Sequence, residues 1–405
     1  MKNSVSTTGK VLFLQHDSVF ETYGGVQYYI DDFLVFLSNL YGPEHVQVLL
    51  AQRTDHFKLE PRPYSIETVK LLQGPFKKIE NRMSPQLFFR AFKLFRKQKI
   101  SVIIASHLSL APMAFILSKI SGAPFLVIAY GFEVWGKFHP QDKWALKKAD
   151  GIVSISYWTK SILEKQGFES KKISVVHPSV TTEMSRAAST ANPLSESHIG
   201  SSNVRLLTIA RLDPNEQYKG HDHVLQALKL IKNREFSVNV KYTIQGTGDD
   251  LPRLRQLVHD YGLTEIVSFL PAVKARDELT EIYHTHDIFI MPSRFGFWNN
   301  QWRGEGFGIV YVEAALFGLP SIAYSCGGVT DIIENHKNGL LVEPDNVEAL
   351  ADAIIELARN KNRLKELGET AREMAFQNFT RNSIEQQMNK AFKSYPFWKL
   401  KPALS

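Results

Sequence analysis

The sequence predicts an α/β protein of two doubly wound domains, on three observations. Short apolar runs alternate with longer stretches of helical periodicity, the pattern of strand and helix units that build a mostly parallel sheet. The alternation comes as two series, with strands expected at 11–16, 46–51, 102–105, 124–130, 151–155 and 173–177, and again at 204–211, 239–245, 266–270, 287–291, 320–324 and 339–342. At 405 residues the chain exceeds one ordinary core. Between the series, TTEMSRAASTANPLSESHIGSSN (181–203) is polar, small and aperiodic. The expected organisation is therefore a domain over 1–181, a linker over 182–203, a domain over 204–380, and a helix and tail over 381–405 that cross back to the N-terminal domain.

VLFLQH (11–16) opens the first series and is followed by a loop with Tyr23-Gly24-Gly25 and a helix over Val26–Leu40. A glycine pair at a strand-to-helix crossing allows close backbone approach and presents N–H groups to an anion, although a tight turn needs the same residues. Residues 77–99 hold eight basic residues against one acidic residue, Glu80. A helix beginning after Pro85 puts Leu87, Phe88, Ala91, Phe92 and Phe95 on one face and Arg90, Lys93 and Lys97 elsewhere. Such a helix either packs on the core or meets anionic lipid, with Phe89 and Leu94 extending its apolar edge. His107, and Tyr130 and Glu133 in YGFEVW, follow expected strands, where α/β proteins bind ligands. They are candidate polar contacts for a ligand, with structural hydrogen bonding as the alternative.

The second series begins with VRLLTIAR, and its first loop carries Arg211 and then Tyr218-Lys219-Gly220. Two cations on one loop suit a diphosphate, with ion pairs to Asp213 and Glu216 as the structural alternative. Gly246-Thr247-Gly248 lacks the third glycine of a dinucleotide fingerprint, since Leu251 stands there, and the match is discounted. The densest signal is RGEGFGIVYVEAALFGLPSIAYSCGG (303–328), in which Glu305 and Glu313 have seven residues between them. A helix starting near Gly306 leaves the N–H groups of Phe307, Gly308, Ile309 and Val310 without intrahelical partners and favours an anionic oxygen there. Two glutamates beside such a terminus suit sugar or ribose hydroxyls. Trp298 and Trp302, in FGFWNNQWRG (295–304), either stack on a sugar or pack between domains. Three helices follow from Asn346 to about Tyr395.

The hydrophobic fraction of 44% and charged fraction of 22% are those of a globular chain. A single cysteine, Cys326, excludes an intrachain disulfide and gives too few thiolates for structural zinc. His221-Asp222-His223 and His284-Thr285-His286-Asp287 read as polar side chains exposed to solvent, and with no Asp-x-Asp pair the site residues include no metal ligand. No apolar run approaches ~20 residues, and MKNSVSTTGK lacks the apolar core of a signal peptide, so a cytoplasmic protein is expected, at the inner face of a membrane if the basic helix meets lipid. The net charge of +7 arises from the first 180 residues, where basic residues outnumber acidic ones while the rest of the chain is slightly acidic, and this suits an anionic membrane or phosphorylated substrate; no nucleic-acid motif accompanies it.

With Arg211, Lys219, Glu305, Glu313 and the Gly327-Gly328 turn in one domain, the chain resembles the retaining glycosyltransferases of family four. The likeness extends over nearly its whole length, through the Gly24-Gly25 loop, Gly131-Phe132-Glu133 and CGGVTDIIENHKNGLLVEPDNVEALADAI (326–354). Where many members carry a histidine before the Gly131 position, this chain has Tyr130. The resemblance implies a GT-B fold, two Rossmann-like domains facing each other across a cleft, and retaining, metal-independent transfer of a hexose from a nucleotide-sugar. Mannose or glucose is expected, from a GDP- or UDP-sugar co-substrate with no cofactor, to a glycan or lipid-linked acceptor in polysaccharide or glycolipid assembly. It implies Arg211 and Lys219 on the diphosphate, Glu305 on the donor sugar, Glu313 on the ribose, backbone N–H groups of Phe307 to Val310 on sugar and phosphate, Gly246 as a further donor contact, Gly24 and Gly25 closing on the donor, and His107, Tyr130 and Glu133 as acceptor or sugar contacts. An epimerase of the same fold and a non-catalytic subunit are the alternatives.

Overall fold

The computed structural model describes residues 9–16, 25–52, 62–70, 84–190, 203–234, 239–273, 276–298 and 300–395. The chain divides into two compact units, Met1–Ser179 with Ile384–Ser405, and Val180–Ser383. In the first, β1 (Lys10–His16), β2 (Val46–Gln52), β3 (Ser65–Lys70), β4 (Ile100–Ala105), β5 (Phe125–Ala129), β6 (Gly151–Ser154) and β7 (Ile173–Val175) form one parallel sheet in the order β3-β2-β1-β4-β5-β6-β7. Val11 to Leu14 and the whole of β5 are buried, as expected of parallel strands covered by helices on both faces. The strand β3 escapes sequence reading because SIETVK is an edge strand whose one buried residue is Val69.

In the second unit, β8 (Asn203–Ile209), β9 (Asn239–Gln245), β10 (Val267–Leu270) and β11 (Ile288–Ile290) are followed by an antiparallel hairpin of β12 (Gly296–Trp298) and β13 (Gln301–Arg303), and then by β14 (Ser321–Tyr324) and β15 (Gly339–Val342). The parallel sheet runs β10-β9-β8-β11-β14-β15. In both sheets the strand order reverses, between β1 and β4 and between β8 and β11. Chains leaving the carboxyl ends of strands at such a switch point part to opposite faces and leave a crevice.

Helix starts follow local chemistry. The Ser84 hydroxyl accepts from the N–H of Leu87 at 3.2 Å ahead of the helix Pro85–Lys97, and the Asn346 side chain accepts from Ala349 at 2.9 Å ahead of Val347–Arg359. Residues 182–190, expected as linker, instead form a helix of the second unit, held by Arg372, which donates to the carbonyl of Ala188 at 2.8 Å. Its apolar stripe is only Met184 and Ala188, one turn apart, too small to stand out in the sequence. The last helix, Arg381–Lys393, belongs to the first unit from Ile384 onward. Phe392 stacks on Phe36 with ring centroids 5.9 Å apart, and the Tyr395 hydroxyl donates to the Ile152 carbonyl at 3.1 Å.

Candidate active site

The loop after β8 is built on backbone contact. Ala210 N–H donates to the Gln245 carbonyl and Leu212 N–H to that of Thr247, both at 3.0 Å. A Cβ on Gly246 would stand 1.9 Å from the Ala210 carbonyl oxygen, and one on Gly248 2.0 Å from that of Leu212. Gly246, a candidate donor contact in sequence, is thus a seat for the Arg211 loop. Asp213 caps the turn Pro214–Lys219 by accepting from Asn215 N–H at 2.8 Å. Gly220 ends the turn at φ 81°, where its missing Cβ would lie 2.3 Å from the Pro292 carbonyl oxygen beyond β11. Only glycine fits there, because the left-handed backbone and the close approach both exclude a side chain.

The two cations of this loop converge on one carboxylate. Arg211 pairs with Glu216, and Lys219 Nζ lies 2.9 Å from Glu216 Oε2. Burial acts to raise the Glu216 carboxyl, but Lys219 and Arg211 outweigh it and hold the group below its usual range. Arg211 remains 64% exposed and Lys219 only 15%, so Lys219 is the inner cation. The two charges therefore do not await a diphosphate undivided, because Glu216 already takes part of them.

Glu305 is half-buried before the helix Ile309–Leu316. The helix starts three residues later than its sequence predicts, because Gly308 takes φ 96°, outside helical geometry. The Gly327-Gly328 turn supports this loop, Gly328 N–H donating to the Glu305 carbonyl at 2.8 Å. A Cβ on Gly328 would stand 2.2 Å from the Gly306 carbonyl oxygen. The Phe307 ring packs edge-on to Phe379 at 5.6 Å, and the Tyr311 hydroxyl donates to the Met291 carbonyl, so side chains on both sides of Gly308 anchor the turn. Burial pushes the Glu305 carboxyl up, while Lys219 opposes the shift and Glu216 adds to it. Burial also pushes up the Tyr218 phenol, with Glu305 and then Glu216 reinforcing it. Lys219, Glu216, Tyr218 and Glu305 thus share one electrostatic environment at the switch point of the second sheet. Glu313, in the same helix, accepts from the Tyr283 hydroxyl at 2.9 Å through Oε2.

In the first unit, Gly25 begins the helix Gly25–Tyr41, and Gly24 lies outside the described residues. His107 accepts from Ser109 N–H at 3.2 Å through Nδ1, and the Ser109 hydroxyl stands 2.9 Å from both His107 Nδ1 and His16 Nε2. Glu133, a candidate sugar contact in sequence, folds back on its own loop and accepts from Tyr130 N–H at 2.5 Å and Gly131 N–H at 2.9 Å. Its carboxylate shapes the turn. Tyr130 is buried edge-on to Tyr29 at 6.0 Å, and burial pushes its phenol well up.

Two family profiles account for most of the chain. Residues 196–374 match glycosyl transferases group 1, and residues 23–184 match Glycosyltransferase Family 4. A GDP-mannose-dependent alpha-(1-6)-phosphatidylinositol monomannoside mannosyltransferase of Mycobacterium tuberculosis is 30% identical over 276 residues, 65% of this chain and 68% of that protein. The chain belongs to glycosyltransferase family four. Among solved structures, Anabaena HepE in complex with UDP and glucose superposes with a TM-score of 0.69 at 19% identity, over 95% of this chain and 100% of that one. The lipopolysaccharide outer core galactosyltransferase WaaB, in its apo form, gives 0.75 at 17% identity, over 95% and 99%. Two parallel-sheet α/β units with these neighbours make the fold GT-B.

Several side chains of this family-four glycosyltransferase differ from their sequence reading. Of the histidines expected at the solvent-exposed surface, His221 is buried, and burial lowers its imidazole to about 4, with Lys219 adding to the effect. His286 is buried against Thr243 at 2.8 Å, and Asp287 accepts from Arg205 N–H at 2.7 Å. Among the described residues, no three His, Cys, Asp or Glu side chains gather as a metal site. Trp302 stacks on Phe295 at 5.0 Å, and the Arg294 guanidinium lies 5.3 Å from the Trp298 ring, so both tryptophans are engaged within the hairpin region. Arg294, which the motifs do not mark, ties this region to the Lys219 loop, its backbone N–H donating to the Tyr218 carbonyl at 2.7 Å and its guanidinium to the Gln217 carbonyl at 3.1 Å. Its place just past β11, at a switch point, was the available signal. On the basic helix, Leu87 and Ala91 are buried while Phe89 and Phe92 are 62% and 38% exposed, so the helix packs through Leu87 and Ala91 and leaves part of Phe92 at the surface.

Proposed function

We propose that this glycosyltransferase moves a hexose from a GDP- or UDP-sugar to a glycan or lipid-linked acceptor, keeping the anomeric configuration and requiring no metal ion. The observation that carries the reading is the Glu305 carboxylate, half-buried before a helix N-terminus and offset by Lys219 from the neighbouring loop. Such a site binds the neutral, hydroxyl-rich sugar through the carboxylate and the anionic leaving group through the cation and the helix N–H groups. Arg211 and Lys219 hold the diphosphate, with Glu216 keeping their heads converged. Glu305 contacts the donor sugar, Glu313 the ribose, and the N–H groups of Phe307 to Val310 the sugar and phosphate. Gly24 and Gly25 are assigned to the donor, and His107 to the acceptor.

In the front-face reaction, the acceptor hydroxyl attacks the anomeric carbon on the side from which the diphosphate leaves. Its proton passes to the departing phosphate oxygen. The cations stabilise the charge that develops there, and a positioned donor of this kind is worth ~10² to 10³ in rate. Mannose is favoured by the name of the mycobacterial relative, and a lipid-linked acceptor by the exposed Phe89 and Phe92 among Arg90, Lys93, Arg96 and Lys97, a surface suited to anionic lipid. Among the described residues no helix is long and apolar enough to cross a membrane. The test is a panel of UDP- and GDP-sugars assayed for hydrolysis and transfer with and without EDTA, with the product anomer read by NMR. Release of nucleoside diphosphate with a retained anomer in EDTA is expected. An inverted product, loss of activity on chelation, or epimerised sugar without nucleotide release would each overturn part of the reading.

A further inference from the structure

Glu313 stands on the helix Ile309–Leu316, and Tyr283 on the helix Arg276–His284 that precedes β11. Two contacts join them. The Tyr283 hydroxyl donates to Glu313 Oε2 at 2.9 Å, and the Tyr283 ring stacks on Phe317 with centroids 5.3 Å apart and planes 7° from parallel. Phe317 is four residues beyond Glu313 and so lies on the same side of the chain. His284 closes the stack edge-on to Phe317 at 4.9 Å. The tyrosine is fully buried, so its ring has one orientation and its hydroxyl one target. Burial, reinforced by Glu313, keeps the phenol protonated, and the hydroxyl therefore acts as a donor and Glu313 as the acceptor.

We infer that Tyr283 is a positioning residue for nucleotide recognition, fixing the Glu313 carboxylate so that the enzyme discriminates ribose from deoxyribose in its donor. The inference rests on the reading of Glu313 as the ribose contact. A long glutamate on a helix surface samples several rotamers, and a ligand that binds one of them bears the cost of selecting it. Tyr283 makes that selection in advance. The side chain touches no substrate; it acts through Glu313.

The test measures, by calorimetry, binding of UDP and GDP and, for whichever binds tighter, its 2′-deoxy and 3′-deoxy analogues, with inorganic pyrophosphate as a probe of the phosphate site. Wild-type protein, Tyr283→Phe and Glu313→Gln are compared. Tyr283→Phe keeps the stack and removes one hydrogen bond to a charged acceptor, so the preference for the ribonucleotide over its deoxy analogue should fall by about five- to twentyfold. Pyrophosphate binding should stay unchanged in both variants. If Glu313→Gln collapses the preference and Tyr283→Phe leaves it intact, Tyr283 has no positioning role. If neither variant alters it, Glu313 is not the ribose contact and both readings fail. Equal weakening of pyrophosphate and nucleotide in Tyr283→Phe would mark a general packing defect and overturn the inference.

Discussion

Gly220→Ala tests whether the loop carrying Lys219 is held to ångström accuracy by its backbone. The added Cβ would lie 2.3 Å from the Pro292 carbonyl oxygen, whereas ordinary contact begins at 3.4 Å. The loop or the end of β11 must therefore retreat by roughly 1 Å. Two penalties follow: about 1–2 kcal/mol for a side chain in the left-handed region, and about 1–3 kcal/mol for overpacking against a fixed neighbour. For a domain of this size the melting temperature should fall by roughly 5–15 °C. A 1 Å displacement of Lys219 should lower kcat/KM by about 10²-fold. The control is Gly262→Ala, at φ 64°, where the neighbour at 3.3 Å is the movable Lys232 ammonium. It carries the backbone penalty alone and should keep full activity. Thermal melts and donor hydrolysis on both variants decide the matter: equal melting shifts with undiminished turnover in Gly220→Ala would refute the rigid contact.

Glu305→Gln should reduce transfer by about 10²-fold or more and, because burial raises this carboxyl, should also raise the melting temperature at alkaline pH. The sign follows from linkage: a raised carboxyl favours the fold below its ordinary range and withdraws that support as pH climbs through the raised folded value, so the gain at pH 8 should vanish near pH 4; melts at both values check it. Lys219→Ala should weaken nucleoside diphosphate binding more than Arg211→Ala, about tenfold or more, because Lys219 is the inner cation; isothermal titration reads the difference. Replacing Phe89 and Phe92 together by Ser should abolish sedimentation with anionic vesicles while leaving soluble donor hydrolysis intact, and wild-type attachment should weaken in high salt. Unchanged sedimentation of that double variant would remove the lipid reading of the helix.

The elements that sequence reading recovers are those with strong local periodicity. β5 is a run of buried apolar residues, β8 is built around buried Val204, Leu206 and Leu207, and the helix Val347–Arg359 carries an apolar stripe with a capping Asn346, so their type follows from neighbours in the chain. The edge strand β3, the helix Thr182–Thr190 and the β12–β13 hairpin have short or half-exposed patterns that a loop shares, and only packing distinguishes them.

By itself the sequence determined two α/β series, the Gly-rich turn between Glu305 and Glu313, and the presence of Arg211 and Lys219 on one loop, because these depend on residue types and spacings along the chain. Tertiary structure decided which of the available partners each of those side chains faces. It joined Arg211 and Lys219 through Glu216, seated their loop on Gly246 and Gly248, tied Glu305 to the Gly327-Gly328 turn, and brought Tyr283 onto Glu313. It also turned Glu133 onto its own backbone and buried His221. The reason is physical: a buried polar side chain must find a partner among the groups the fold brings near it, and while Glu216 and Glu133 find theirs on their own loops, the Tyr283–Glu313 and Gly328–Glu305 contacts join separate segments that only the packing around the second sheet brings together.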